Sequence, residues 1–308
     1  MDHRRRLRRL RVTAGPPAMD EVTEFPGFLG VPPEWSRYET ARVAVLPIPY
    51  EATTSYVQGT ARGPQAILDA SHQVELYDEE LRRETYKAGV VTLPDVEVAG
   101  LPYERVAERI GAAARPVLAD GKLLVALGGE HSITPPLVDA CAAAHGPLSV
   151  LQLDAHADLR DTYDGTPHSH ACALRRIRER HEAVQVGIRA LCQADADFIR
   201  ERGLQVFFAH DMATDPLWAD RALAALGDPV YVTIDLDAFD PSVISAVGTP
   251  EPGGMGWYES LRFLRRVARE RRIVAFDVVE LCPIAGQVAS DFAAAKLAYR
   301  LMGYALGG

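Results

Sequence analysis

The stretch Leu148-Ser149-Val150-Leu151-Gln152-Leu153-Asp154-Ala155-His156-Ala157-Asp158 is an apolar run of strand length that ends abruptly in acids. A second stretch, Pro229-Val230-Tyr231-Val232-Thr233-Ile234-Asp235-Leu236-Asp237-Ala238-Phe239-Asp240, repeats the pattern. Nearly continuous apolar character over so few residues is what a strand carries when both faces of its sheet are covered. Similar runs occur at 43–47, 122–127, 184–188, 205–208 and 272–279. Helix-like segments lie between them. Residues 104–118 place Val106, Ile110 and Val117 on one face, with Pro116 as a predicted kink, and Gly63-Pro64 opens another helix with proline in its first turn. Residues 218–226, 258–269 and 288–306 also have helical periodicity. Strands alternating with helices predict an α/β fold, a single three-layer domain over residues 19–308 with a central, mostly parallel sheet and helices on both faces.

The polar residues that stand out fall at strand ends. His131 follows its run through Gly128-Gly129-Glu130, Asp154 and Asp235 end theirs, and Glu280 follows 272–279. In open α/β sheets ligands bind beyond the carboxyl ends of the strands. Alternate residues of an extended chain point the same way, so Asp154, His156 and Asp158 can converge, as can Asp235 and Asp237. Buried together, these carboxylates repel. Between Arg115 and Arg160 the only basic Lys or Arg is Lys122, and between Arg221 and Arg262 there is none. The missing positive charge is most simply metal, and more than one ion. A donor set of carboxylates and imidazoles, without a thiolate in place, suits Mn²⁺ better than structural Zn²⁺. Two such ions sharing carboxylates form a hydrolytic device.

The motifs Gly128-Gly129-Glu130-His131-Ser132, Asp154-Ala155-His156-Ala157-Asp158 and Asp235-Leu236-Asp237-Ala238-Phe239-Asp240-Pro241 resemble the signatures of the ureohydrolase (arginase/agmatinase) family. Gly248-Thr249-Pro250-Glu251-Pro252-Gly253-Gly254, Asp277-Val278-Val279-Glu280, Ser55-Tyr56 and Gly63-Pro64-Gln65-Ala66-Ile67 are similar to further parts of its pattern, in the right order from about residue 43 to the C-terminus. The resemblance implies an arginase-like fold and a hydrolase with two Mn²⁺ per chain that releases urea from a guanidinium group. It implies one ion on His131, Asp154, Asp158 and Asp235 and the other on Asp154, His156, Asp235 and Asp237, with Asp154 and Asp235 bridging. Asp158 would also orient the nucleophile, and Glu280 would accept hydrogen bonds from the guanidinium fork. The departing amine needs a proton, and His170 fits the family's pattern for that shuttle better than His168. Family members usually form homotrimers or homohexamers.

The loop Leu159-Arg160-Asp161-Thr162-Tyr163-Asp164-Gly165-Thr166-Pro167 lacks the Asn residues with which arginases resemble a carboxylate cradle, and it supplies Asp161 and Asp164. Acids there disfavour a carboxylate and favour an ammonium tail. A small cationic guanidino substrate is therefore expected: agmatine, giving putrescine, with N1-aminopropylagmatine, giving spermidine, as the alternative. Arg160 in the same loop weighs against this, and the acidic stretch Glu75-Leu76-Tyr77-Asp78-Glu79-Glu80-Leu81 adds to it.

Bulk composition sets the outer limits. With 308 residues, 48% of them hydrophobic and 24% charged, the chain buries a large core. A net charge of −9 argues against nucleic-acid and anionic-membrane partners. Six arginines against Asp2 give residues 1–18 a charge of +5, so the remainder carries −14. With no apolar segment after it, this tail is not a secretory signal; it is expected to be disordered, with Met19 an alternative start. Cys141, Cys172, Cys192 and Cys282 lack CxxC spacing and are expected as buried free thiols of a cytoplasmic protein.

Overall fold

The computed structural model describes residues 27–307; the basic tail and Met19 lie outside them. The strands are β1 (Val43–Ile48), β2 (Tyr77–Asp78), β3 (Arg83–Glu84), β4 (Val90–Thr92), β5 (Leu123–Gly128), β6 (Ser149–Leu153), β7 (Glu182–Ile188), β8 (Gln205–Phe208), β9 (Val230–Asp235) and β10 (Ile273–Val279). The helices are α1 (Gly63–Ser71), α2 (Tyr103–Ala119), α3 (Thr134–His145), α4 (Ala173–Arg178), α5 (Gln193–Arg202), α6 (Ala209–Met212), α7 (Trp218–Ala225), α8 (Trp257–Glu270) and α9 (Ala289–Ala305). Eight strands form one sheet in the order β4-β1-β5-β10-β9-β6-β7-β8, and every pairing in it is parallel. The short β2–β3 hairpin stands apart.

The pleat sorts the strands onto two cores. Leu123, Val125 and Leu127 of β5 join α1, α7, α8 and α9 on one face, while Leu124 and Ala126 join α2, α3, α4 and α5 on the other. Val230, Val232 and Ile234 of β9 take the first face and Tyr231 the second. Thr233 and Asp235 share the parity of Tyr231, and Asp277 that of Ala275, so polar residues enter the sheet on the α2–α5 side.

The apolar runs become strands within a residue or two of where periodicity places them. The exceptions are the three-residue β4 and the two-residue strands of the hairpin, all too short for a repeat to register. Pro116 lies in the last turn of α2, where the helix continues to Ala119 at the loss of a single intrahelical donor. Among the described residues no helix is long and apolar enough to cross a membrane. Cys141, Cys172 and Cys282 are buried thiols and Cys192 is half-buried. The acidic stretch at 75–81 does not line the cleft described below. Asp78 and Glu80 accept from Arg300 Nη1 at 3.0 Å, Glu79 from its Nη2 at 2.6 Å, and Glu80 also pairs with Arg265, tying the hairpin to α9 and α8.

Candidate metal centre and active-site cleft

The carboxyl ends of β5, β6, β9 and β10 lie side by side at the centre of the sheet, and their trailing residues meet. After β5, Gly129 runs under Tyr50, where a Cβ would stand 2.0 Å from the Tyr50 carbonyl oxygen. That close approach lets Glu130 and His131 turn inward. His131 Nδ1 lies 3.1 Å from Asp154 Oδ2, 3.2 Å from Asp158 Oδ2 and 3.4 Å from Asp235 Oδ2. On the other side His156 Nδ1 lies 2.7 Å from Asp237 Oδ2 and 3.8 Å from Asp154 Oδ1. Ligand atoms of His131, Asp154 and Asp235 fall within 4.8 Å of one another, as do those of Asp154, His156 and Asp237. Asp154 belongs to both groups.

The hydrogen bonds around His131 decide which of its nitrogens faces the acids. Thr233 Oγ1 donates its one proton to Asp277 Oδ1 at 2.6 Å, and His131 Nε2 lies 2.8 Å from Thr233 Oγ1. Nε2 must therefore be the donor, so Nδ1 faces three carboxylates, carrying a proton where the acids hold the ring charged and offering its lone pair to a cation where the ring is neutral. Nδ1 is buried, and the three acids are the polar groups placed around it. A lone pair aimed at anions is repulsive until a cation stands between them, so the residues fit a metal ion on physical grounds. Asp277 is in turn held by Tyr231 OH at 2.6 Å and Thr134 Oγ1 at 2.9 Å. Gln152 Nε2 donates to Asp154 Oδ2 at 2.6 Å, and the Ala155 N–H to Asp237 Oδ1 at 2.9 Å.

Without a cation the cluster retains protons. Burial, then Asp237 and Asp158, push Asp154 up to about 8. Burial, then Asp237 and Asp154, raise Asp235 well above the carboxylate range, and burial with Asp235 and Glu130 does the same to Glu280. For the two histidines burial acts the other way, but the carboxylates outweigh it: His156 rises to about 11 through Asp237, and His131 rises well above its usual value. Asp237 goes down despite its burial, because His156 and the Ala155 N–H stabilise its charge. Asp158 and Glu280 hold φ of +52° and +65°. Such conformations cost about 1–3 kcal/mol each and persist where the surroundings over-determine them.

The cluster opens into a cleft of about 280 Å³ whose wall includes His156, Asp158, Arg160, Tyr163, His170 and Glu280. Glu280 Oε1 accepts the His131 N–H at 2.7 Å. Glu130 anchors the opposite wall, accepting from the N–H groups of Ala52 and Thr53 at 2.6 and 2.7 Å and from Thr53 Oγ1 at 2.7 Å. Because that threonine proton is committed, Thr53 Oγ1 can only accept from His170 Nδ1 at 3.1 Å, while Ser169 Oγ, 3.3 Å from the same nitrogen, can donate or accept. With the hydrogen on Nδ1, Nε2 is the basic nitrogen, 3.3 Å from Ser55 Oγ. His168 is turned away and stacks on Tyr103, centroids 4.3 Å apart. Asp161 and Asp164 do not line the cleft: Asp161 is exposed and bonded to Arg176 at 2.8 Å, and Asp164 is exposed at a turn with φ +49°. Arg176 of α4 therefore takes the charge of Asp161 that the sequence assigns to substrate.

Residues 41–303 match the model of the arginase family. The chain belongs to that family. Among relatives, the N(1)-aminopropylagmatine ureohydrolase of Synechocystis sp. is 44% identical over 87% of this chain and 90% of its own. The agmatinase of Pyrococcus horikoshii is 33% identical over 84% of this chain and 90% of its own. The crystal structure of the agmatine ureohydrolase of Thermoplasma volcanium superposes with a TM-score of 0.82 at 27% identity, covering 92% of this chain and 96% of that one. The arginase-like fold expected from the motifs is the fold observed.

Proposed function

We propose that this member of the arginase family is a cytoplasmic, binuclear manganese ureohydrolase that cleaves the guanidinium group of agmatine-type amines, with N1-aminopropylagmatine ahead of agmatine. The observation that carries the chemistry is the pair of His/Asp groups sharing Asp154 at the floor of a cleft that also presents Glu280 and His170. The order of substrates rests on identity: 44% to a relative named for the longer amine against 33% to one named for agmatine. His131, Asp154, Asp158 and Asp235 would hold one ion and Asp154, His156, Asp235 and Asp237 the other. When bound, two divalent ions supply Lewis acidity and a water nucleophile at neutral pH.

The protein's own groups do the rest. Glu280 spends Oε1 on the His131 N–H, leaving Oε2 to accept from the planar guanidinium. The guanidinium charge also opposes the burial that favours protonated Glu280. His170, fixed through Nδ1–H by Thr53, can take a proton at Nε2 and return it to the departing amine nitrogen. Homotrimer or homohexamer assembly belongs to the same reading. The test is urea release with Mn²⁺ from aminopropylagmatine, agmatine, arginine, guanidinobutyrate and formiminoglutamate. The two amines should be cleaved, the longer with the higher kcat/KM; arginine turned over faster than both would overturn the assignment.

A further inference from the structure

We propose that Asp195 is the ammonium-binding residue of this cleft: its Oδ1 accepts a charge-assisted hydrogen bond from the amine that follows the guanidinium group of the substrate. The inference rests on the proposed activity and adds the part of the site that selects the tail. Asp195 lies in the first turn of α5 and is 3% exposed. Its Oδ2 accepts the Cys192 N–H at 3.1 Å and caps the helix. Its Oδ1 is buried and has no partner, yet the residue lines the cleft beside Ala190 and Leu191. A buried carboxylate oxygen without a donor is costly, and such atoms in native proteins mark a missing partner.

Charge around the cleft says what kind of partner. Two divalent ions would balance the four aspartates of the centre, and Glu280 would match the guanidinium. Asp195 and the half-buried Glu251 remain, and the Glu251 side chain has no hydrogen bond or ion pair among the described residues. Against them stands Arg160, the one Lys or Arg in the lining, with its guanidinium over the Tyr163 ring at 4.7 Å from the centroid. The balance left is negative and suits an ammonium group. A carboxylate tail would place a second anion beside Asp195.

The test compares the metal-loaded enzyme with Asp195→Asn, which keeps an oxygen for the Cys192 cap. Titration calorimetry with 1,4-diaminobutane should show binding weakened about 10- to 100-fold, as for loss of a charge-assisted bond. In urea release, kcat/KM for agmatine should fall by a similar factor, mostly through KM, while that for butylguanidine, which has no amine, stays unchanged. An unchanged affinity for the diamine overturns the proposal. So does an equal loss for butylguanidine, which would make Asp195 a prop of α5. If the unsubstituted enzyme releases urea from no guanidino compound, the proposed activity falls, and the calorimetric comparison still decides the role of Asp195.

Discussion

Two histidines of this chain are defined less by what they face than by what stands behind them. Thr233 gives its proton to Asp277 and Thr53 gives its proton to Glu130, so each threonine can only accept from the ring nitrogen beside it. His131 is left with Nδ1 facing the aspartates and His170 with Nε2 facing the cleft. Thr233→Val removes the acceptor behind His131 and strands Asp277 Oδ1; metal affinity should drop about 10- to 100-fold, read by metal content after dialysis against a weak chelator. His170→Ala should lower kcat by about 100-fold or more while metal content stays unchanged. Retained turnover would assign the proton shuttle to another group. The clustered acids and histidines are legible in the sequence because they trail the ends of apolar strands, although Asp237 lies in a 3-10 turn and Asp158 holds a left-handed φ instead of continuing an extended chain. Thr233, Thr53 and Gln152 are not, since a hydroxyl or amide in a strand or loop carries no mark of the side chain it supports. Asp277 and Glu130 fall inside quoted motifs, which was the one available signal. Asp161 misleads for the converse reason: charge in a loop says nothing about which arginine lies across from it, and Arg176 is contributed by a helix further along the chain, while Asp164 is exposed at its turn.

At the scale of elements, the cleft is built by loops that the strands merely deliver. Arg189, just past β7, is the main fastener. Its guanidinium donates to the carbonyl oxygens of Gly187 at 3.1 Å, Asp237 at 2.6 Å, Glu251 at 2.8 Å and Pro252 at 3.1 Å. It thus joins the loop after β9 to the Gly/Pro loop at 248–254. Arg189→Met leaves those carbonyls without a donor and should cost about 2 kcal/mol, seen as a lower thermal midpoint together with weaker metal retention. Gly129→Ala should cost about 3 kcal/mol or more by overpacking against the Tyr50 carbonyl, measured by denaturant unfolding. A mild effect would mean that the end of β1 moves aside freely. Strand and helix positions are readable because burial on both faces leaves a dense apolar signature. The cross-loop fastening is not, because an arginine that binds backbone carbonyls needs no particular partner sequence.

The whole molecule couples its stability to the cluster. Asp154, Asp235 and Glu280 have folded-state values raised above those of the open chain, so the folded form binds the extra protons. Their contribution is complete below about pH 4 and is lost as pH rises, through about 8 for Asp154. Asp237 works in the opposite sense, losing its contribution only as the medium turns acidic. The metal-free protein should therefore melt at lower temperature at pH 8 than at pH 6. Added Mn²⁺ should raise the midpoint, and by more at pH 8, where fewer protons must be displaced. Equal shifts at both pH values would show that the ions do not occupy this cluster.

The order of the sheet has a consequence for biosynthesis. β9 and β10, late in the chain, fill the gap between β5 and β6, which do not pair with each other. A growing polypeptide that has left the ribosome only as far as β8 holds two unjoined blocks of strands. It contains His131, Asp154, His156 and Asp158 but lacks Asp235 and Asp237. Such a nascent chain presents four of the six residues that would hold metal, on edges that have not yet met, and any grip on metal is complete only with the translation of the last quarter of the message.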